Sequence, residues 1–151
     1  MMYLFLDYLE VLLVALLICI FCDVEQKRYC LISSVISFLV MEFMQTYDLF
    51  GNEMAYAITI INFIIVSVMK KEIKFYNFIP CIFSQWISVF TSTIVLFFFK
   101  VITNYNIGNI IKLYRIPIIF LARILFFTLI VVLNYFKSKI KNTIIEKINI
   151  Y

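Results

Sequence analysis

The sequence predicts an all-α, polytopic membrane helix bundle of five transmembrane helices, with the N-terminus outside and the C-terminus cytoplasmic. Three observations carry this. First, 65% of the 151 residues are hydrophobic and only 15% are charged, with a mean hydropathy of +1.05. About a quarter of the residues of an ordinary globular domain are charged, so a soluble fold of this size has too little polar surface to cover its apolar side chains. Second, several apolar runs reach or approach the roughly 18 residues needed to cross a bilayer. Third, no series of short alternating segments exists, which removes a membrane barrel.

The spans follow in order. The first covers about 3–22. It is not preceded by Lys or Arg, holds two acids and lacks a small-residue cleavage site, so it reads as a retained helix and not as a secretory signal. The second covers about 29–47 and the third about 54–69. The fourth covers about 78–99 and the fifth about 116–136. Residues 1–136 form one transmembrane helical domain, expected to be sensor-like. Residues 137–151 form a basic tail in which Ile140, Ile144, Ile148 and Tyr151 recur at helical spacing between Lys and Glu. That spacing suits a short amphipathic helix on the anionic inner leaflet, or the first turns of a helix leading to a dimerising cytoplasmic element.

Orientation rests on the basic residues of the loops. Lys27, Arg28, Lys70, Lys71, Lys74 and the four lysines of the tail fall on one side, nine in all. Lys100, Lys112 and Arg115 fall on the other. The richer side is the cytoplasmic one. An even number of spans would require the stretch "VITNYNIGNIIKLYR" to be re-entrant, or the fifth run to lie in the interface.

Charges inside the spans are costly, about 2.5–3.5 kcal/mol each at a helix centre. At about 1.5 Å of rise per residue, Glu10 lies roughly 10 Å, Glu42 roughly 8 Å and Arg123 roughly 10 Å below the outer end of its span. Three ionisable residues from three helices therefore share one layer, with Asp7 a turn above Glu10 on the same face. Buried charges pair, and a guanidinium can hold a carboxylate with two hydrogen bonds. Arg123 is expected to pair with Glu10, with Glu42 or with both, while Asp7 faces an outer vestibule. The layer can be a structural ion pair, a ligand contact, or acids snorkelling to the interface.

The remaining polar positions read as packing. Ser84, Ser88 and Ser92 make a small-residue stripe that admits a neighbouring helix. Asn62, Gln85 and Asn134 are single amides expected to bond across helices, and Trp86 reads as packing inside the fourth span.

Several function classes are disfavoured. The chain contains no histidine, so Ser-His and Cys-His nucleophilic catalysis and His-ligated metals are absent. Cys19 and Cys22 form C-x-x-C at the end of an apolar helix and read, with Cys30 and Cys81, as small apolar side chains. No catalytic residue, metal site, cofactor or nucleic-acid partner is expected. Gly and Pro occur twice each, which weakens a transporter built on broken helices. No ladder of acids crosses the membrane, which disfavours an ion pump.

Four stretches carry a family resemblance. They are "LDYLEVLLVALLICIF", with its acid in the outer half; "EQKRYCLISSVISFLV", a short basic loop entering a span; "INFIIVSVMKKEIKFYNFIPCIFSQWISVF", two spans about a basic loop; and "IIFLARILFFTLIVVLNYFKSK", a last span with a basic exit. Together they resemble the membrane sensor regions of GHKL-type, accessory-gene-regulator-like histidine kinases of low-GC Gram-positive bacteria. The resemblance implies detection of an extracellular peptide or other signal, and a dimer that passes it to a kinase. The family's phospho-accepting His and ATP-binding domain have no counterpart here, so the resemblance implies a sensor module of a two-component, quorum-sensing type without its own catalytic domain. The expected partners are the lipid bilayer, a second copy of the chain or a signalling partner, and a peptide ligand. The rivals are a membrane substrate-binding subunit of a small-molecule transporter and an accessory or immunity-type membrane protein.

Overall fold

The computed structural model describes residues 2–22, 24–47 and 52–148, with side chains for 3–22, 24–25, 27–47 and 53–140. It is all-helical among these residues. The helices are α1 (Met2–Cys22), α2 (Gln26–Thr46), α3 (Asn52–Lys70), α4 (Phe78–Thr103) and α5 (Ile107–Ile148), with a 3-10 turn at Phe75–Asn77 before α4. All five helices are long and apolar enough to cross a membrane.

α1 runs antiparallel to α2 and to α4. Tyr8 of α1 meets Phe38 of α2 at 5.6 Å between rings, and Cys19 meets Cys30. Phe21 of α1 meets Phe83 of α4 at 6.0 Å, while Glu10 meets Ser88. By contrast α1 and α5 are parallel: Tyr3 lies on Arg115, Glu10 on Arg123, and the carbonyl of Ile20 on Lys137. The start of α1 and the end of α5 therefore lie at opposite ends of the bundle, as an odd number of crossings requires.

The helix apolar all round becomes the central one. α1 packs on α2, α4 and α5, while α3 closes the ring between α2 and α4. Val14, Ala15, Leu17 and Ile18 of α1 are buried in the main core with Tyr29, Val66, Cys81 and Phe126. The outside carries large apolar side chains such as Phe43, Phe97, Phe98 and Phe127. A continuous apolar exterior of this extent fits hydrocarbon better than water.

Two helix ends show how the chain turns with so little glycine. Lys71 takes the left-handed conformation (φ 53°). Its N–H bonds the carbonyl of Val68, and the N–H of Glu72 bonds that of Ser67. This pair of bonds is the Schellman closure that usually uses Gly. Asn104 ends α4 in the same conformation (φ 57°), with its N–H on the carbonyl of Lys100. Asn tolerates that region better than most residues.

The stretch "VITNYNIGNIIKLYR" departs from its expected loop. α4 runs on to Thr103, only 104–106 are non-helical, and α5 begins at Ile107. Ile110 is fully buried beside Val95, Ile118 and Ala122, so the first turns of α5 pack back along the end of α4. Tyr114 breaks the helical conformation (φ −120°, ψ 19°) three residues before Pro117. A proline ring clashes with the carbonyl four residues earlier, here that of Leu113, and it removes the matching N–H. The fifth span thus starts at a kink in a longer helix. At its other end α5 continues helically to Ile148, since neither Gly nor Pro follows Pro117. The amphipathic pattern read from Ile144, Ile148 and Tyr151 lies outside the described side chains.

Candidate functional site

In lipid the tails are as apolar as Leu, so helix association rests on packing and polar contacts more than on hydrophobic burial. Among the described residues, two polar clusters gather several such contacts each. One ties α2 to α3. The Asn62 carbonyl oxygen accepts from Tyr29 Oη at 2.6 Å and from Ser33 Oγ. Its amide donates to Ser37 Oγ at 3.3 Å and to the carbonyl of Ile58 at 2.9 Å. Every group in it is buried and bonded, so it is a staple with nothing left to offer a ligand.

The second cluster is the charged layer. Arg123 Nη2 donates to Glu10 Oε2, and Ser88 Oγ donates to Glu10 Oε1. Three helices, α1, α4 and α5, meet on one carboxylate. The Arg123 side chain is 7% exposed and that of Glu10 is 25% exposed. Arg123 thus pairs with Glu10 and not with Glu42. The reason is topological: α1 stands between α2 and α5. Glu42 keeps Oε1 buried without a hydrogen-bond partner among the described residues. Asp7 is half-buried and lies within electrostatic reach of Glu10, Arg123, Glu42 and Arg115. Of the four residues, Glu10 and Arg123 are in direct contact.

A cavity of about 390 Å³ opens between α4 and α5 at this layer. Glu10 and Arg123 line it, as do Ser92, Thr93 and Arg115, and the rest of its wall is apolar. From the sequence Arg115 reads only as a loop base. The kink at Tyr114 turns it back to the bundle, where its guanidinium sits over the Tyr3 ring at 4.9 Å. The signal that points to it is Pro117 two residues on, which marks the bend. Arg123 Nε and Nη1 have no partner among the described residues.

The serine stripe separates by depth. Ser84 is buried and bonds the Pro80 carbonyl of its own helix at 2.7 Å. Ser88 holds Glu10, and Ser92 bonds the Ser88 carbonyl at 3.0 Å while lining the cavity. Small size lets α1 approach, as the spacing implies, but Ser88 is also a polar partner of the ion pair.

Among the described residues Gln85 makes no bond across helices. Its Oε1 is buried without a partner among the described residues, in a groove of about 170 Å³ against α3 that Thr59 and Trp86 share. Trp86 itself is 71% exposed, an outward-facing side chain and not a packed one. Asn134 also faces outward. The inner stripe of α5 runs through Ile118, Ala122, Phe126 and Ile130, then shifts to Leu133 and Lys137, which rotates Asn134 off the contact face.

All four cysteines are buried as free thiols. Cys19 Sγ lies 3.5 Å from Cys30 Sγ, and Cys81 donates to the Asn77 carbonyl at 3.3 Å. Cys19 thus has its near neighbour across the α1–α2 contact. No group of three or more metal-ligating side chains comes together among the described residues.

At the opposite end lie Lys70, Lys71 and Lys74. Lys74 pairs with Glu72 at 2.7 Å, and the Tyr76 ring lies under both Lys70 and Lys74, at 5.9 and 5.7 Å. The Lys74 ammonium holds the exposed Glu72 carboxyl below the usual glutamate range. Compared with protein-family models, with curated proteins and with solved structures, the chain matches none of them.

Proposed function

We propose that this chain is an integral membrane sensor module. It receives a signal at the Asp7–Glu10–Glu42–Arg123 layer and passes it through the helices as a dimer. The observation that carries the reading is the Glu10–Arg123 pair, which joins α1 and α5 beside an open cavity. Breaking or reshaping that pair changes how two parallel helices pack. A ligand drives such a change only if it binds the two packings with different affinity. The charge bias of the loops supports an external N-terminus, which puts the cavity on the outer side and the lysine-rich end in the cytoplasm. Impermeant thiol labelling in intact cells at a cysteine placed at Tyr105, and none at one placed at Ile73, is the expected topology; the reverse pattern removes it.

The sensing step is tested with nitroxides at Val24 and Ser138, on a background with the four native cysteines replaced by alanine. Glu10→Gln, and separately an organic extract of the host's spent medium, should shift the distance between the lower ends of α1 and α5. Unchanged distance distributions in both experiments remove the reading.

A second reading, a membrane substrate-binding subunit of a small-molecule transporter, is favoured by the cavity itself. Its volume falls within the roughly 300–1,000 Å³ of small-molecule sites. Uptake of a small molecule that depends on this chain would select it.

A further inference from the structure

We propose that the α4–α5 cavity binds the monoanionic oxyanion head, carboxylate or phosphodiester, of an amphiphile whose apolar chain leaves toward the lipid. The inference rests on the sensing reading above and names the ligand class for the same site.

The charges decide the sign. Three charged side chains line the cavity: Glu10, Arg115 and Arg123. The carboxylate is already engaged by Arg123 and Ser88, so the charge left over on the wall is positive. Arg123 is more than nine-tenths buried, lines the cavity, and has Nε and Nη1 without acceptors among the described residues. A guanidinium cannot shed its proton to escape that situation. Those two nitrogens are themselves covered, so its charge stays uncompensated beside the cavity, and an oxyanion there meets that charge while taking charge-assisted hydrogen bonds from the exposed Arg115. The two hydroxyls in the wall add little donor capacity. Ser92 donates to the Ser88 carbonyl at 3.0 Å and Thr93 to that of Val89 at 2.9 Å. Arg115 is therefore the donor available to a head group.

Shape and surroundings narrow the ligand. The rest of the wall comes from residues such as Leu96, Ile118 and Ile119, which suit an alkyl chain. About 390 Å³ admits a head and part of one chain. Asp7 and Glu42 are not part of the wall, yet they belong to the same electrostatic neighbourhood. Their field opposes added negative charge, so the two wall arginines can hold a single charge and not the roughly −1.5 to −2 of a phosphate monoester at neutral pH.

Electron paramagnetic resonance of the full chain in phosphatidylcholine nanodiscs tests this, using spin-labelled stearate and spin-labelled methyl stearate. The lysines at the opposite end attract any anion, so the part that depends on cavity variants is the readout. Ionised stearate should be preferred over the ester by about tenfold, and Arg115→Gln should remove most of that preference. Ser92→Leu, which fills the cavity without altering charge, should displace the same fraction. Arg115 is exposed, so its variant leaves no buried charge unpaired.

Spin-labelled phosphatidylglycerol showing the same Arg115 dependence identifies a bilayer lipid as the source. Dependence for stearate alone identifies a free carboxylate amphiphile. Equal binding of ester and acid, or a preference untouched by both variants, overturns the proposal. Selective binding with no movement of the Val24–Ser138 pair sinks the sensor and keeps the site. Movement caused by a cationic or neutral extract component does the reverse.

Discussion

Replacing Glu10 with glutamine isolates the energetics on which the layer depends. The change keeps shape and removes one charge. Arg123 then loses its charged acceptor on Nη2, while Nε and Nη1 already have no partner among the described residues. Removing one partner of a buried ion pair costs about 3–5 kcal/mol. The Glu10 side chain is a quarter exposed, and the amide oxygen of Gln can still accept a bond, so the expected cost is about 2–3 kcal/mol. Arg123→Gln should cost less, about 1–2 kcal/mol. The remaining carboxylate keeps Ser88 and has some solvent, whereas the more deeply buried guanidinium has neither. The double variant should cost less than the two single changes together, with a coupling of about 1–3 kcal/mol. The assay is unfolding by sodium dodecyl sulfate in mixed micelles, followed by far-ultraviolet circular dichroism, for all four proteins. Additive costs, or Arg123→Gln costing more than Glu10→Gln, would refute the asymmetry argued from burial.

Four further outcomes are expected. Asn62→Leu strands the Tyr29 and Ser33 hydroxyls and should cost about 1–2 kcal/mol in the same assay; a neutral result would mean those hydroxyls find other acceptors. Mild oxidation should link Cys19 to Cys30, which face each other at 3.5 Å. The linked peptides stay joined after trypsin cuts at Lys27 and Arg28, and a Cys19–Cys22 product instead would show the α1–α2 register to be wrong. Pro117→Ala restores a helical N–H to the turn holding Tyr114, so α5 should straighten and lift Ile110 from Val95. A nitroxide pair on Val101 and Ile111 reads that separation, and an unchanged distance would detach the kink from the proline. Outside the spans, the Glu72 carboxyl should titrate below the ordinary 4.5 because Lys74 bonds its charged form. A depressed folded value means that any stabilisation is present at neutral pH and lost as pH falls through that value. Both side chains are exposed, so the signature is the carboxyl's chemical-shift midpoint, and Lys74→Gln should raise it.

Much of the architecture was legible because hydropathy needs no partner to be read. The apolar run of α1 and the Lys-Lys-Glu-Ile-Lys break after α3 are local facts, and they locate helices whether or not the bundle is known. The meeting of Glu10 with Arg123 was legible for a similar reason. Rise per residue is constant, so depth follows from counting. What counting cannot supply is azimuth. Asn134 falls eleven residues after Arg123 and shares its face on an ideal helix, yet the contact stripe of α5 turns away from it. Gln85 and Trp86 sit in a span as expected, but the side they face depends on where α3 lies.

The sequence by itself determined that the chain carries five helices long and apolar enough to cross a membrane, and counting along them put Glu10 and Arg123 at matching heights. Only the tertiary structure decided which charged groups touch. Counting put two acids level with Arg123, and the placement of α1 between α2 and α5 gave the arginine to Glu10 and left Glu42 apart. The same packing drew Ser88 onto the carboxylate, and the Pro117 bend brought a loop base, Arg115, to the cavity wall. Depth is a one-dimensional property carried by chain length, whereas pairing is a three-dimensional one set by the order in which helices surround their neighbours.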